Sequence, residues 1–132
     1  MTQKITIIHV RKSPHEADVN QELQWMGTSL GLFNLRDKDS SCFRIFITLI
    51  QKSRNSEALS SDEIAEKLHL ARGTVVHHLD KLLDAGIIVH EKEGYILRQV
   101  SLAKVVKDIQ RDVLDIFAEL EGVAKEIDKR LG

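Results

Sequence analysis

Between Leu59 and Gly86 the chain reads LSSDEIAEKLHLARGTVVHHLDKLLDAG, and this stretch limits the fold more than any other. Ile64, Ala65 and Leu68 recur at helical spacing, as do Val75, Leu79, Leu82 and Leu83. Two short amphipathic helices are therefore expected, the second over Arg72 to Ala85. Ser60 and Glu63 form the S-x-x-E pattern of a capping box, in which each side chain satisfies the other residue's free amide. Gly86 suits the position just past a helix end. Only a short turn around Leu70 is left between the helices, which is the spacing of a helix-turn-helix. Ile87 to Arg98 (IIVHEKEGYILR) then reads as two short strands around Glu93-Gly94. Helix, turn, helix and hairpin in that order predict a winged helix-turn-helix, mainly α with a small β-hairpin wing. Such a unit shapes its second helix to enter the major groove of DNA.

The segment from Leu102 to Leu131 carries the second strong signal. Leu102, Val106, Ile109, Val113, Ile116, Leu120, Val123 and Ile127 follow one another at alternating steps of four and three. That is an unbroken heptad seam, and it predicts one long C-terminal helix used for dimerisation. Val105, Phe117, Ala124 and Leu131 widen the stripe beyond what a two-stranded zipper needs. The flanking acids Asp112, Glu119 and Glu126 face no matching row of cations. Both features suit a helix that packs on a partner helix and on its own domain.

Ahead of the motif, Lys4 to Arg11 (KITIIHVR) is β-branched and apolar and predicts a strand, ended by the single proline, Pro14. A helix is expected from about Ala17 to Leu30, with Val19, Leu23, Met26 and Leu30 on one stripe and Gly31 as its stop. The polar run Asn34 to Ser41 precedes a helix over Ser41 to Lys52, with Asp39 or Ser40 as its cap and Phe43, Phe46, Ile47 and Ile50 at helical spacing. The expected organisation is an extension over 1–38, a winged helix-turn-helix over 39–100 and a dimerisation helix over 101–132.

Composition bounds the function. At 132 residues, 42% hydrophobic and 30% charged, the chain has material for one core and its extension, as a soluble cytoplasmic protein would. No apolar run is long enough to span a membrane, and the start MTQKITII lacks the pattern of a signal peptide. With one cysteine, Cys42, no intrachain disulfide and no cysteine-held metal can form. The sequence lacks a P-loop, a Gly-rich fingerprint, G-x-S-x-G and H-E-x-x-H, so no enzyme is expected. The charge balance opposes nucleic acid: the net charge is −1. From Ser61 to Arg98, Lys67, Arg72, Lys81, Lys92 and Arg98 are outnumbered by Asp62, Glu63, Glu66, Asp80, Asp84, Glu91 and Glu93. Phosphate contacts supply most of the affinity of DNA-binding proteins, so modest affinity and a shallow salt dependence follow.

The run GTVVHHLDKLLDAGII, preceded by SSDEIAEKLHLAR, resembles the ArsR-like winged-helix transcriptional regulators of prokaryotes, over roughly Cys42 to Leu97. Phe43-Arg44-Ile45-Phe46 looks like that family's first core helix. The resemblance implies DNA binding by the second helix, dimerisation through terminal helices and ligand-controlled release. It does not extend to metal sensing. The C-x-C pair of the metal sensors is missing from Asp62 to Leu68, and the C-terminal helix has no histidine to bind zinc. Val76 stands where the family has serine, Asp80 where lysine is frequent, and Ala71 where a capping serine is usual.

The expected DNA-facing residues are Arg72, Gly73, Thr74, Val76, His77 and Lys81 on the second helix, with Lys92 and Arg98 in the wing. Arg72 can reach a guanine edge or a phosphate, Thr74 a phosphate at the positive end of the helix, and Val76 a thymine methyl. An ordinary solvated helix face would look the same in a winged helix that binds protein. His77 and His78 point about 100° apart on a helix and cannot chelate one ion, so no metal or other cofactor is expected. His78 reads as half-buried, His69 and His90 as surface residues, and Cys42 as a small core residue. Trp25, Phe33 and Phe117 read as packing at the dimer interface before they read as a ligand pocket. The leading function is a homodimeric, sequence-specific DNA-binding transcriptional regulator, in which an unidentified small-molecule effector would have to act at the dimer interface. The alternative is a winged-helix protein-interaction module within a larger complex, which the acidic balance favours. A third, weaker reading is a nucleoid-type protein that binds DNA with little specificity, though such proteins carry an excess of cations.

Overall fold

The computed structural model describes residues 2–10, 18–33 and 40–132. Five helices and one hairpin follow in the order α1 (Val19–Ser29), α2 (Ser41–Ser53), α3 (Ser61–Leu68), α4 (Arg72–Asp84), β1 (Ile88–Glu91), β2 (Gly94–Leu97) and α5 (Leu102–Leu131). This is a winged helix-turn-helix with a long C-terminal helix. Its core gathers Ile45, Phe46 and Leu49 of α2, Ile64 of α3, Val75, Leu79 and Leu82 of α4, Ile88 and Leu97 of the hairpin, and Val105 and Ile109 of α5.

Local signals explain the boundaries. Asp18 and Gln21 make a capping box on α1, and Ser60 and Glu63 make the expected one on α3. Three helices end in the same way. At α4, Gly86 takes φ +80°, its N–H donates to the Leu83 carbonyl, and the Ile87 N–H reaches back to Leu82. Ile87 and Leu82 are both buried, so the pattern is a Schellman motif with its apolar contact. Gly31 ends α1 likewise. At α3 the left-handed position is held by His69, φ +55°, while Leu70 donates to Ala65. His69, Leu70 and Ala71 alone then span the gap to α4.

Several expectations need correction. Lys4 to Val10 forms no strand. The Lys4 N–H donates to the Asp84 carbonyl (2.9 Å) and the Ile8 N–H to the Ser29 carbonyl (2.7 Å). Both acceptors lie at the last turns of helices, whose final carbonyls lack intrahelical partners. The segment therefore ties down helix ends and pairs with no strand. Arg11, Pro14, Ala17 and the run from Asn34 to Asp39 lie outside the described residues. Ser40 occupies the N-cap of α2, but it is left-handed (φ +51°) and its side chain makes no capping bond. The hairpin turn is Lys92-Glu93, and Gly94 opens β2. The wing also gains an unforeseen third edge: Leu59 and Tyr95 exchange backbone hydrogen bonds of 3.0 and 2.7 Å.

Candidate nucleic-acid interface

The amphipathic spacing of α4 divides it into two faces. Val75, Leu79 and Leu82 are fully buried against α2 and α3. Arg72, Gly73, His77 and Asp80 are exposed, with Thr74 and Val76 half-exposed beside them. A Cβ built on Gly73 would meet nothing within 4 Å, so the surface at the start of the helix is open. Ala71, at the N-cap, has no side-chain acceptor for the first-turn amides. Those N–H groups project outward with the positive end of the helix dipole.

Charges sit close together here. Arg72 Nε lies 3.3 Å from Asp62 Oδ1, with both side chains more than two-thirds exposed. A pair this solvated is worth little, so Arg72 can exchange it for another anion. Asp80 is exposed on the same face. At the start of α3 the Glu63 carboxyl accepts from the Ser60 backbone N–H and is held below its usual range by that bond. At the wing tip Lys92 is exposed. Behind it, His90 stacks on Tyr95 at 4.1 Å with the rings nearly parallel.

Two expected contact residues are committed elsewhere. Lys81 Nζ donates to the Leu32 carbonyl at 2.9 Å. Its long side chain has turned toward the segment joining α1 and α2 and away from the exposed edge of α4. Arg98 does not flank the wing turn. It follows β2, and its guanidinium donates to both carboxylate oxygens of Asp112 on α5, at 2.5 and 3.2 Å. Asp108 lies 3.5 Å from Nε. That pairing holds Arg98 charged and keeps the Asp112 carboxyl below the usual aspartate range; Gln3, donating to Asp112 at 2.9 Å, adds to the latter. Neither interaction was legible from the sequence, because both depend on how separate elements pack against each other.

His78 is half-buried, His69 and His90 are exposed, and Cys42 is fully buried. Among the described residues no group of three or more His, Cys, Asp and Glu side chains is placed to hold a metal. The aromatic trio does not assemble. Phe33 packs edge-on against Phe43 at 5.4 Å, over Gly27, where a Cβ would overlap its ring; Phe117 stands 62% exposed on α5.

The apolar stripe of α5 divides at Val113. Leu102, Val105, Ile109 and Val113 pack on the body of the same chain. Every residue from Leu114 to Gly132 is exposed. The expected eight-residue seam is therefore already partly filled, since Leu102, Ile109 and Val113 face their own core. Val106 sits at the edge of the stripe, and Ile116, Leu120, Val123 and Ile127 carry it onward uncovered.

The fold and this surface define a helix-turn-helix with a wing. Residues 39–91 match the family model described as a helix-turn-helix domain. No curated protein and no solved structure gives a significant match. Among the described residues no helix is long and apolar enough to cross a membrane.

Proposed function

We propose that the protein is a homodimeric, sequence-specific DNA-binding transcriptional regulator of the ArsR-like type, with α4 lying in the major groove. The observation that carries this is the two-faced α4: one side is fixed in the core, while the other presents Arg72, Gly73, Thr74, Val76 and His77 on an open surface. Lys92 at the wing tip is placed to meet the adjacent backbone. Lys81 and Arg98 drop out of the contact set for the reasons above. In this reading residues 39–100 bind DNA and residues 101–132 dimerise, while within the extension over 1–38 Lys4 and Ile8 tie down the ends of α4 and α1.

Dimerisation is supported by the uncovered half of α5. Phe117 (62% exposed), Leu120 (57%), Val123 (60%) and Ile127 (49%) form one continuous apolar stripe on the part of α5 past Val113, where every residue is exposed. Monomeric soluble proteins rarely leave such a patch open. A second copy supplies an identical stripe, and two-fold symmetry lets each cover the other. Binding selection on random duplexes tests the reading. It should enrich an inverted repeat, and an enrichment of no sequence would favour the protein-interaction module.

A further inference from the structure

Past Val113, α5 leaves the body and runs on for eighteen residues with every side chain exposed. At 1.5 Å per residue that overhang is about 27 Å long. A lever of this length magnifies any play at its root. A change of about 10° there moves the tip by about 5 Å, more than the 3.4 Å rise of one base pair along DNA. What fixes the root therefore fixes where a partner on the lever is held.

The root has an apolar half and a polar half. Leu102, Val105 and Ile109 pack into the core, but apolar contact is non-directional and allows small rotations. The polar half is directional. Arg98, immediately after β2, grips both oxygens of Asp112 in a planar fork and approaches Asp108 with Nε. The backbone at Arg98 is itself anchored, its N–H donating to the Ile87 carbonyl at 3.0 Å. Gln99 donates to Asp108 at 2.6 Å. From the other side Gln3 donates to Asp112 while the neighbouring Lys4 N–H holds the Asp84 carbonyl at the end of α4. The end of α4, the exit from the wing, the N-terminal segment and α5 thus meet at Asp112. Among the described residues this is the last polar tie before the overhang: Arg98 and Asp112 are 29% and 19% exposed, and every residue described beyond Val113 is exposed.

We propose that the Arg98–Asp112 pair is a positioning clamp that sets the angle at which α5 leaves the winged helix. In the dimer proposed above it thereby selects the spacing between the two DNA half-sites. The second statement rests on the proposed function; the first does not. Neither residue touches DNA.

The two statements are tested separately in the full-length chain. Gly73 and Gly122 both have open space where a Cβ would stand, so cysteines there carry spin labels without disturbing packing. With Cys42→Ala in the background and labelled chains diluted in excess unlabelled protein, pulsed electron resonance reads the distance from α4 to the overhang within one chain. The parent should give one narrow distribution. Arg98→Gln and the milder Asp112→Asn should each widen it at least twofold while circular dichroism shows the helices retained, and Arg98→Lys, which keeps the charge but loses the fork, should fall between. An unchanged width in folded Asp112→Asn overturns the clamp, even if its melting temperature drops, because the pair would then only stabilise. In the second arm, selection on random duplexes should enrich one half-site spacing for the parent and two or more for Asp112→Asn. The same single spacing for both overturns the spacing role. A parent that enriches nothing overturns the DNA reading and with it the spacing role, while the label distances still decide the clamp.

Discussion

Gly94 lies directly against the backbone of Leu59. Its φ is +137°, and a Cβ there would run into the Leu59 carbonyl and the Ser60 nitrogen. This close approach lets Leu59 and Tyr95 exchange hydrogen bonds and seats the wing beside the start of α3. Gly94→Ala adds both a steric overlap with backbone and a disfavoured dihedral, so it should destabilise by at least about 2–4 kcal/mol. Denaturant unfolding measures this directly. A loss below about 1 kcal/mol would show that the wing detaches from Leu59 at little cost.

His69 holds a left-handed conformation at the end of α3 with an exposed side chain. Glycine adopts that region without the Cβ penalty. His69→Gly should therefore stabilise the protein by roughly 0.5–1 kcal/mol and leave DNA affinity unchanged. Destabilisation on thermal melting would mean that the imidazole contributes more than its backbone geometry costs.

These two residues show where the sequence was legible. The helix-turn-helix could be read from apolar spacing, from Ser60 with Glu63 and from Gly86, because each signal is local. The wing could be read as a hairpin, but its turn was placed one residue late, since Gly94 looks like a turn residue and serves instead as a point of close approach. The N-terminal segment has the composition of a strand, but its backbone hydrogen bonds go to helix ends. For the candidate interface, helical periodicity selected the exposed side of α4 but could not show where long side chains turn. Lys81 and Arg98 looked like free cations until their partners, Leu32 and Asp112, were brought beside them by the tertiary fold.

The two halves of α5 should respond differently to substitution. Ile109 is 5% exposed in the core, and Ile109→Ala should cost about 2–5 kcal/mol of folding stability. Leu120 is 57% exposed, so Leu120→Asp should leave the winged helix folded and convert the proposed dimer to a monomer. Light scattering alongside circular dichroism separates the two effects. A dimer that survives Leu120→Asp would place the interface away from this stripe.

The Arg98–Asp112 pair also makes a prediction about acid. The hydrogen bond from Arg98 holds the Asp112 carboxyl below its ordinary value of about 3.9. A depressed folded-state value contributes stability above the unfolded value, and that contribution disappears as pH falls through the folded one. Asp112→Asn should thus be less stable than the parent by about 1–3 kcal/mol at neutral pH. The gap should stay constant down to about pH 4 and close below it. Urea unfolding of both proteins across that range gives the gap directly, and one that persists unchanged in strong acid would place the stabilisation outside this ionisation.

Contacts that read bases and contacts that hold phosphates can be told apart by their salt dependence. Arg72, at the exposed start of α4, loses only a solvated pair with Asp62 when it is replaced, so Arg72→Ala should fold normally. If it reaches a base edge, the change should cost roughly 1–3 kcal/mol per half-site and relax the preference at that base. Lys92→Ala, at the wing tip, should weaken all sequences about equally and lower the salt slope by about one. Lys81→Ala serves as the internal control. Its ammonium is already bonded to Leu32, so the salt slope should not move. Titrations at several salt concentrations on a selected duplex compare the three variants. If Lys81→Ala flattens the slope while Arg72→Ala and Lys92→Ala do nothing, the DNA-facing surface has been assigned to the wrong side of α4.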